Sequence, residues 1–287
     1  MIPFDSVFLA GSAWGCVYYI GVYKGLIQRY GTEQVHALRF GGNSAGAMTA
    51  LFMAAEIPPE DIVAMYLKLI EYVQKRGNWG MWTNYQEEAL DMVLSSRGEE
   101  ELLALLNKRL LIGVTTFPCK FRVIDTFDSL SHVRRSVHAS MMIPWFCHGG
   151  LESPFRDGTS CIDGSVSKLA ERFSPRTLTV GVYPNKSFDL FPKESFSMYI
   201  PPKDKEEALT RIQSAVTQIM GRGTYEIGEV INPPKKIFRQ TLLAYFLWSC
   251  FLCQRIVYYL TRVGVVSLKR IKNIFLRIIR FLLKKDV

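Results

Sequence analysis

The sequence predicts an α/β fold, because strand and helix patterns alternate from the first residues onward. A strand is predicted over residues 6–10, followed by a loop of small residues over 11–15 and a helix over 17–30. A second strand is predicted over residues 35–40, and the helix over 45–56 ends before two prolines. With 287 residues, the chain can bury one large core or two smaller ones.

The rest of the chain continues this alternation with helices that have recognisable starts. One helix is predicted over residues 60–76 after the prolines, one over 84–95 from the capping pair Asn84 and Glu87, and one over 99–110 from three acidic residues. Buried strands are predicted over 121–127 and 178–183, and further helices over 131–142 and 203–220. The last helix is expected to be exposed, and residues 180–202 to be irregular.

The most informative motif is the pentapeptide Gly42-Asn43-Ser44-Ala45-Gly46 between the second strand and its helix. A serine in a sharp strand-to-helix turn exposes its hydroxyl as a nucleophile, and small flanking residues allow the backbone to bend. The alternative is a glycine-rich turn in an ordinary βα unit, since the pattern often occurs by chance. Only one strand precedes the strand of this motif, whereas an α/β-hydrolase has several strands ahead of its nucleophile.

The loop after the first strand is a candidate oxyanion hole. It lies one βα unit before Ser44, where backbone N–H groups at the start of a helix are suited to stabilise a developing negative charge. The candidate donors are the backbone N–H groups of Gly11, Ser12, Ala13, Trp14 and Gly15.

A base for Ser44 is predicted at Asp163, which ends a short apolar run and is followed by Gly164. A carboxylate within hydrogen-bond reach of the serine hydroxyl can take its proton directly. The alternative is that Asp-Gly only marks a turn, as it does at Asp157-Gly158 in a polar loop nearby.

With these motifs in this order and spacing, the chain resembles the patatin-like phospholipases over about residues 5–185. The segment 139–144 is similar to that family's Ala-Ser-x-x-x-Pro stretch, and residues 10–11 and 17–22 look most like the branch that includes adipose triglyceride lipase and adiponutrin. The resemblance implies a three-layer α/β/α fold and hydrolysis of acyl ester bonds in lipids, with Ser44 as nucleophile and Asp163 as base. It implies a lipid substrate, no cofactor and no metal.

Two departures from the family pattern leave a second function open. The family's glycine loop places glycines at positions 11, 13 and 16, and this chain has Gly11, Ala13 and Cys16 there. An alanine or cysteine with positive φ is strained by about 1–2 kcal/mol, so the loop is expected either to shift its register around Gly15 or to be poorly formed. Ser165 stands where the family prefers glycine or alanine. A catalytically weak or inactive lipid-surface protein with the same fold is therefore the alternative.

The histidines offer a further alternative, a Ser-His-Asp triad of the α/β-hydrolase type. His148 is its best candidate, but it precedes Asp163, against the order of that class. His36, His132 and His138 are expected to be ordinary surface or core residues, and no group of residues has the spacing of a metal site.

The six cysteines have no disulfide-framework spacing and no secretory signal is visible, so an intracellular protein is predicted.

The net charge of +9 arises in residues 235–287, which hold twelve of the 35 Lys and Arg residues and one of the 26 acidic residues. This segment is too apolar for a nucleic-acid binder. Residues 240–254 are charge-free but shorter than a membrane span, and residues 268–282 form a basic amphipathic pattern. The segment is therefore predicted to associate with a membrane or lipid-droplet surface, after an irregular and helical extension over residues 186–234. Packing onto the catalytic domain is the alternative.

Overall fold

The computed structural model describes residues 1–76, 81–117, 119–143, 154–193, 198 and 200–221. Its centre is a six-stranded mixed sheet in the order β4-β3-β2-β1-β6, with β5 paired to β3. The strands are β1 (Ser6–Leu9), β2 (Arg39–Asn43), β3 (Leu110–Thr116), β4 (Lys120–Ile124), β5 (Cys161–Asp163) and β6 (Thr177–Val180). The strands β6, β1, β2 and β3 run parallel, and β4 and β5 are antiparallel to β3.

Helices flank this sheet, which confirms the predicted fold class. They are α1 (Cys16–Tyr30), α2 (Thr32–His36), α3 (Ala45–Ala54), α4 (Pro59–Arg76), α5 (Met81–Leu94), α6 (Glu99–Arg109), α7 (Leu130–Met141) and α8 (Lys205–Gly221). α3 packs on β1, β2 and β3, and α7 packs on β3 and β5. Most helices agree with prediction to within a residue or two, but α5 begins at Met81, so Asn84 is not its cap.

The second strand lies later in the chain than predicted. Residues 32–36 form the short helix α2, which buries Val35, and β2 begins only at Arg39. The prediction over 35–40 was wrong because it followed the apolar residues and treated the glycines as part of the turn. In the structure Gly41 and Gly42 belong to the strand, which is buried between β1 and β3.

The strand β3, which pairs with three others, was not predicted. All seven of its residues are buried. Its apolar start, Leu110-Leu111-Ile112, directly follows the last turn of α6 and looks like a continuation of that helix. The run of β-branched residues after Gly113 was the available signal. β4 is a partly exposed edge strand that ends at Ile124, so the prediction of a buried strand to residue 127 was also wrong.

The register around β3 positions the candidate site. Gly113 pairs with Asn43 at the end of β2, and the next residue, Val114, pairs with Asp163 at the end of β5. β4 pairs along Ile112–Thr116 on one edge of β3, so β5 occupies the other edge, where β2 stops. The ends of β2 and β5 therefore meet head to head on one edge of a single strand.

The helix α8 packs along α1 and contributes to the main hydrophobic core, so the prediction of an exposed helix was wrong for one of its faces. Gly21 in α1 permits the close contact, because a Cβ there would lie 2.3 Å from the carbonyl oxygen of Ile212. The Tyr18 hydroxyl also donates to Gln218 at 2.7 Å. The part of the predicted extension that the structure describes is thus continuous with the α/β core.

The predicted tail over residues 235–287 and His148 lie outside the described residues. Within the described ranges, no helix has the length and apolar character needed to span a bilayer.

Candidate functional site

Ser44 lies in a strained turn between β2 and α3. Its backbone has φ 55° and ψ −132°, a conformation that residues other than glycine rarely adopt. The residue caps α3, whose Ala47 N–H donates to the Ser44 carbonyl at 2.9 Å. This strained backbone between a strand and a helix is the geometry expected of a nucleophile elbow.

The glycines on either side of Ser44 are required by close backbone contact. A Cβ on Gly42 would lie 2.6 Å from the carbonyl oxygen of Gly46, and a Cβ on Gly46 would lie 2.3 Å from the carbonyl oxygen of Leu9. Both glycines have ordinary negative φ, so space is what they provide. They allow α3 to start directly against the ends of β1 and β2.

Ser140 in α7 braces the elbow from the opposite side. Its hydroxyl accepts a hydrogen bond from the Ser44 backbone N–H at 3.0 Å and donates to the Gly113 carbonyl at 2.7 Å. Ser140 is fully buried, so both bonds are shielded from water. The sequence contained this residue in the Ala-Ser-x-x-x-Pro segment, but it gave no indication of which backbone group the hydroxyl would reach.

Asp163 is buried, with 3% of its surface exposed, and its carboxyl group lies beside the Ser44 side chain. Its Oδ1 accepts from the backbone N–H of Ser165 at 2.8 Å. Burial raises the pKa of Asp163 to about 6, while hydrogen bonding to the Ser44 side chain and to Ser165 acts in the opposite direction. The structure thus brings the predicted serine and aspartate together, with a carboxyl group that changes its charge just below neutral pH.

Gly164 allows this contact because the turn after Asp163 is pressed against β3. A Cβ on Gly164 would lie 2.4 Å from the Gly113 carbonyl oxygen and 2.9 Å from the Asn43 side-chain oxygen. Asn43 in turn donates to the Lys168 carbonyl at 2.7 Å, so the residue before the elbow serine holds the segment after Asp163. The two halves of the site are tied to each other as well as to the sheet.

The glycine-poor loop keeps its register. Ala13 has φ 43°, a positive φ where the resemblance places a glycine, whereas Cys16 is right-handed with φ −56°. Gly15 is also right-handed, so the loop has not shifted around it. The strain at Ala13 is tolerated, and the expectation of a shifted loop was wrong.

Two of the five predicted oxyanion donors are engaged elsewhere. The Trp14 N–H donates to the Met198 carbonyl at 2.9 Å, and the Gly15 N–H donates to the Ser12 carbonyl at 2.7 Å. These two N–H groups therefore cannot serve as donors in this conformation. Of the five candidate donors, the N–H groups of Gly11, Ser12 and Ala13 have no acceptor among the described residues.

Gly11 is the loop residue that faces the elbow. A Cβ at Gly11 would lie 3.4 Å from the Ser44 Cβ, so the loop backbone and the serine side chain are in contact. The Tyr66 hydroxyl holds the other end of the loop by donating to the Trp14 carbonyl at 2.8 Å. Donors in this position can approach a group bound to Ser44.

A small apolar cavity lies next to the elbow, between α1, α3, α4 and α7. Thr49 lines this cavity from α3, and its hydroxyl donates back to the Ala45 carbonyl of the same helix at 2.9 Å. Burial raises the pKa of the Cys16 thiol to about 12, so this cysteine is an uncharged wall of the cavity. The lining residues are Cys16, Ile20, Ala45, Met48, Thr49, Phe52, Tyr66 and Met141.

The described histidines are paired with other groups. His36 contacts Tyr23 and Glu56, His132 contacts Asp128, and His138 contacts Glu87. None of these contacts involves Ser44 or Asp163.

The chain is similar to a known family and to solved structures. A family model described as Patatin-like phospholipase matches residues 7–169, more than half of the chain. VipD from Legionella pneumophila has 14% sequence identity and a TM-score of 0.48, over 76% of this chain and 66% of that chain. ExoU, in the ExoU-SpcU complex of the type III secretion system of Pseudomonas aeruginosa, has 14% identity and a TM-score of 0.43, over 76% of this chain and 51% of that chain. The chain thus spans between about half and two thirds of the length of these structures. No curated protein matches significantly.

Proposed function

Since the chain belongs to the patatin-like phospholipase family, a family of lipid hydrolases, we propose that it is a serine acyl hydrolase that cleaves carboxylic ester bonds of lipids through a Ser44–Asp163 dyad. The observation that carries the proposal is the buried Asp163 carboxyl, with its raised pKa, beside a serine held in a strained elbow. Phospholipids and acylglycerols are the proposed substrates.

The reaction follows from the two side chains. Asp163 in its charged form accepts the Ser44 proton as the Ser44 oxygen attacks the ester carbonyl carbon. The protonated Asp163 then returns the proton to the departing alcohol, which leaves an acyl group on Ser44. Water releases this acyl group in the reverse sequence of proton transfers.

The loop would supply the electrostatic part of catalysis. As the carbonyl oxygen becomes an oxyanion, the N–H groups of Gly11, Ser12 and Ala13 are the candidate donors. The start of α3 adds the positive end of its helix dipole.

Replacement of the dyad tests this function. We expect Ser44→Ala and Asp163→Asn to abolish hydrolysis of a short-chain p-nitrophenyl ester while the circular dichroism spectrum stays unchanged. A fluorophosphonate probe should label the wild-type protein and not Ser44→Ala. His148→Ala is the control for the triad alternative and should retain activity. Full activity in Ser44→Ala would falsify the assignment.

A second candidate is an inactive lipid-surface protein, and the strained Ala13 is the observation that favours it. A loop that relaxes at Ala13 would lose its donors, at a cost of roughly 3–4 kcal/mol of transition-state stabilisation for each donor. A wild-type protein that binds vesicles but neither hydrolyses esters nor reacts with the fluorophosphonate would support this second candidate.

We also propose that residues 235–287 associate with an intracellular membrane or lipid-droplet surface, where long acyl chains are concentrated. The support is their composition, since basic residues near an anionic bilayer contribute about 1 kcal/mol each. The full chain should sediment with anionic vesicles at low salt and be released at high salt. Replacement of Lys269, Lys272 and Arg280 by Glu should weaken sedimentation but not hydrolysis of a soluble ester. Equal sedimentation of the wild type and the variant would contradict this proposal.

A further inference from the structure

Ser165 places a second hydroxyl group at the site. Its backbone N–H donates to Asp163 Oδ1 at 2.8 Å, which fixes the turn that carries the side chain. The Ser165 Oγ is buried and makes no hydrogen bond of ordinary geometry among the described residues, although it lies close enough to the Asp163 carboxyl to lower its pKa. A buried hydroxyl without a well-formed hydrogen bond is costly, so a functional site is where such a group is expected.

The position of this hydroxyl relative to the loop indicates what it can reach. A Cβ at Gly11 would lie 2.0 Å from the Ser165 Oγ and 3.4 Å from the Ser44 Cβ. The hydroxyl thus occupies the space that the missing side chain of Gly11 leaves open, next to the elbow. The backbone of the same loop carries the N–H groups that have no acceptor among the described residues.

We propose that Ser165 is a further catalytic residue, whose hydroxyl donates a hydrogen bond to the oxyanion formed from the substrate ester. This inference rests on the proposed function. When the Ser44 oxygen forms its bond to the carbonyl carbon, the π electron pair of the carbonyl moves to the carbonyl oxygen and the Ser44 proton passes to Asp163. Ser165 keeps its own proton and offers it to the new negative charge as a hydrogen bond.

The loop gives a reason for a side-chain donor here. Ala13 holds its positive φ under strain, and the N–H groups of Trp14 and Gly15 are bonded elsewhere. A hydroxyl rotates freely about its C–O bond, so it can turn from the carboxyl side toward an oxyanion without movement of the backbone. Ser165 would therefore add a donor that does not depend on the loop conformation.

The test compares Ser165→Ala and Ser165→Gly with Ser167→Ala as the matched control. Ser167 lies in the same turn, but its hydroxyl pairs with the Thr115 hydroxyl at 2.7 Å. For each folded variant, kcat, KM and the pH dependence of kcat/KM are measured with p-nitrophenyl butyrate. We expect both Ser165 variants to lose about 10-fold to 100-fold in kcat with KM unchanged. The acid limb of the pH profile should move to slightly higher pH, because the hydroxyl no longer lowers the pKa of Asp163. Ser167→Ala should stay within about twofold of wild type.

An unchanged kcat in the Ser165 variants would overturn the inference. So would a loss of activity that is confined to the acid limb and absent on the plateau at high pH, because Ser165 would then act only through the pKa of Asp163 as a positioning residue. If Ser165→Ala does not fold, Ser165→Gly decides the question, since it also removes the hydroxyl and places at this position a residue that the family pattern prefers. A wild-type protein without any ester hydrolysis would instead remove the proposed function, and this inference with it.

Discussion

The Ser140 hydroxyl accepts a hydrogen bond from the Ser44 backbone N–H at 3.0 Å, across 96 residues of chain. The same hydroxyl donates to the Gly113 carbonyl, which lies on the strand residue paired with Asn43. One buried side chain thus connects α7, β3 and the elbow. Because the backbone of Ser44 is strained, such external bonds are needed to hold it in place.

Ser140→Ala should therefore lower both stability and activity. It leaves the Ser44 N–H and the Gly113 carbonyl without partners in a buried site, which costs about 1–3 kcal/mol in the free energy of unfolding. We expect kcat for a soluble ester to fall at least about 10-fold because the nucleophile is less well positioned. Ser136→Ala is the matched control. Ser136 is equally buried one turn earlier and donates only to the His132 carbonyl, so its loss should leave kcat unchanged. Equal kcat for both variants would contradict the bracing role.

The pH dependence of hydrolysis should report the Asp163 carboxyl. Burial raises its pKa to about 6, and only the charged form can accept the Ser44 proton. The value of kcat/KM should therefore rise about tenfold per pH unit below that pKa and level off above it. A profile measured with a soluble ester checks this. An acid limb near 4 would mean that Asp163 is not desolvated as the structure indicates.

Asp163→Asn should stabilise the protein at neutral pH although it removes activity. The pKa in the folded state lies above the ordinary value of 3.8, so the folded state binds the proton more tightly and loses stability as the pH rises from that value through about 6. Above this window the buried charge costs roughly 3 kcal/mol, given 1.36 kcal/mol per pKa unit. Asparagine avoids the charge and can still accept from the Ser165 N–H.

Urea unfolding at pH 8 should thus give a higher free energy of unfolding for Asp163→Asn than for wild type, by about 1–3 kcal/mol. The difference should disappear in acid, where the wild-type carboxyl is protonated in both states. A variant that is less stable than wild type at pH 8 would show that the charged carboxyl is well solvated or well paired.

Gly46→Ala should prevent correct assembly of the elbow. The added methyl group would lie 2.3 Å from the Leu9 carbonyl oxygen and 2.5 Å from that of Ala10, and neither backbone group can move without displacing β1. We expect a loss of at least about 3 kcal/mol in the free energy of unfolding, or no soluble protein. Gly98→Ala is the control, because a Cβ there meets nothing within 4 Å, and its effect should stay within about 1 kcal/mol. Similar thermal midpoints for the two variants would refute the packing argument.

Ala13→Gly should relieve the strain in the oxyanion loop. A glycine adopts the positive φ of Ala13 without the steric cost of a Cβ, and we expect a gain of about 0.5–1 kcal/mol in the free energy of unfolding, with activity kept or raised. Ala37→Gly is the control, for which we expect the free energy of unfolding to fall. Ala37 is exposed and right-handed, so glycine there only increases the entropy of the unfolded chain. A loss of stability at both positions would indicate that the loop is not strained at Ala13.

The sequence alone was sufficient to predict the fold class, most helices and the turn at Ser44. Alternating patterns predicted the α/β class and most helices to within a few residues, since propensity, capping and apolar spacing act over a few turns. The glycines around Ser44 marked the elbow because a turn with so little room excludes other residues. The sequence did not reveal β3, whose apolar start continues the pattern of α6, and it misplaced β2, whose glycines hide the strand.

The tertiary structure decided which distant groups meet. Asp163 and Ser44 lie 119 positions apart, and they come together because β5 continues the edge of β3 where β2 ends. The role of Ser140, the engagement of the Trp14 and Gly15 N–H groups and the place of the Ser165 hydroxyl beside Gly11 likewise depend on strand register and helix packing. Hydrogen bonds and steric contacts act over a few ångströms, so a pattern along the chain specifies them only where the residues are neighbours in sequence. Contacts between residues far apart are set when the sheet closes around its core.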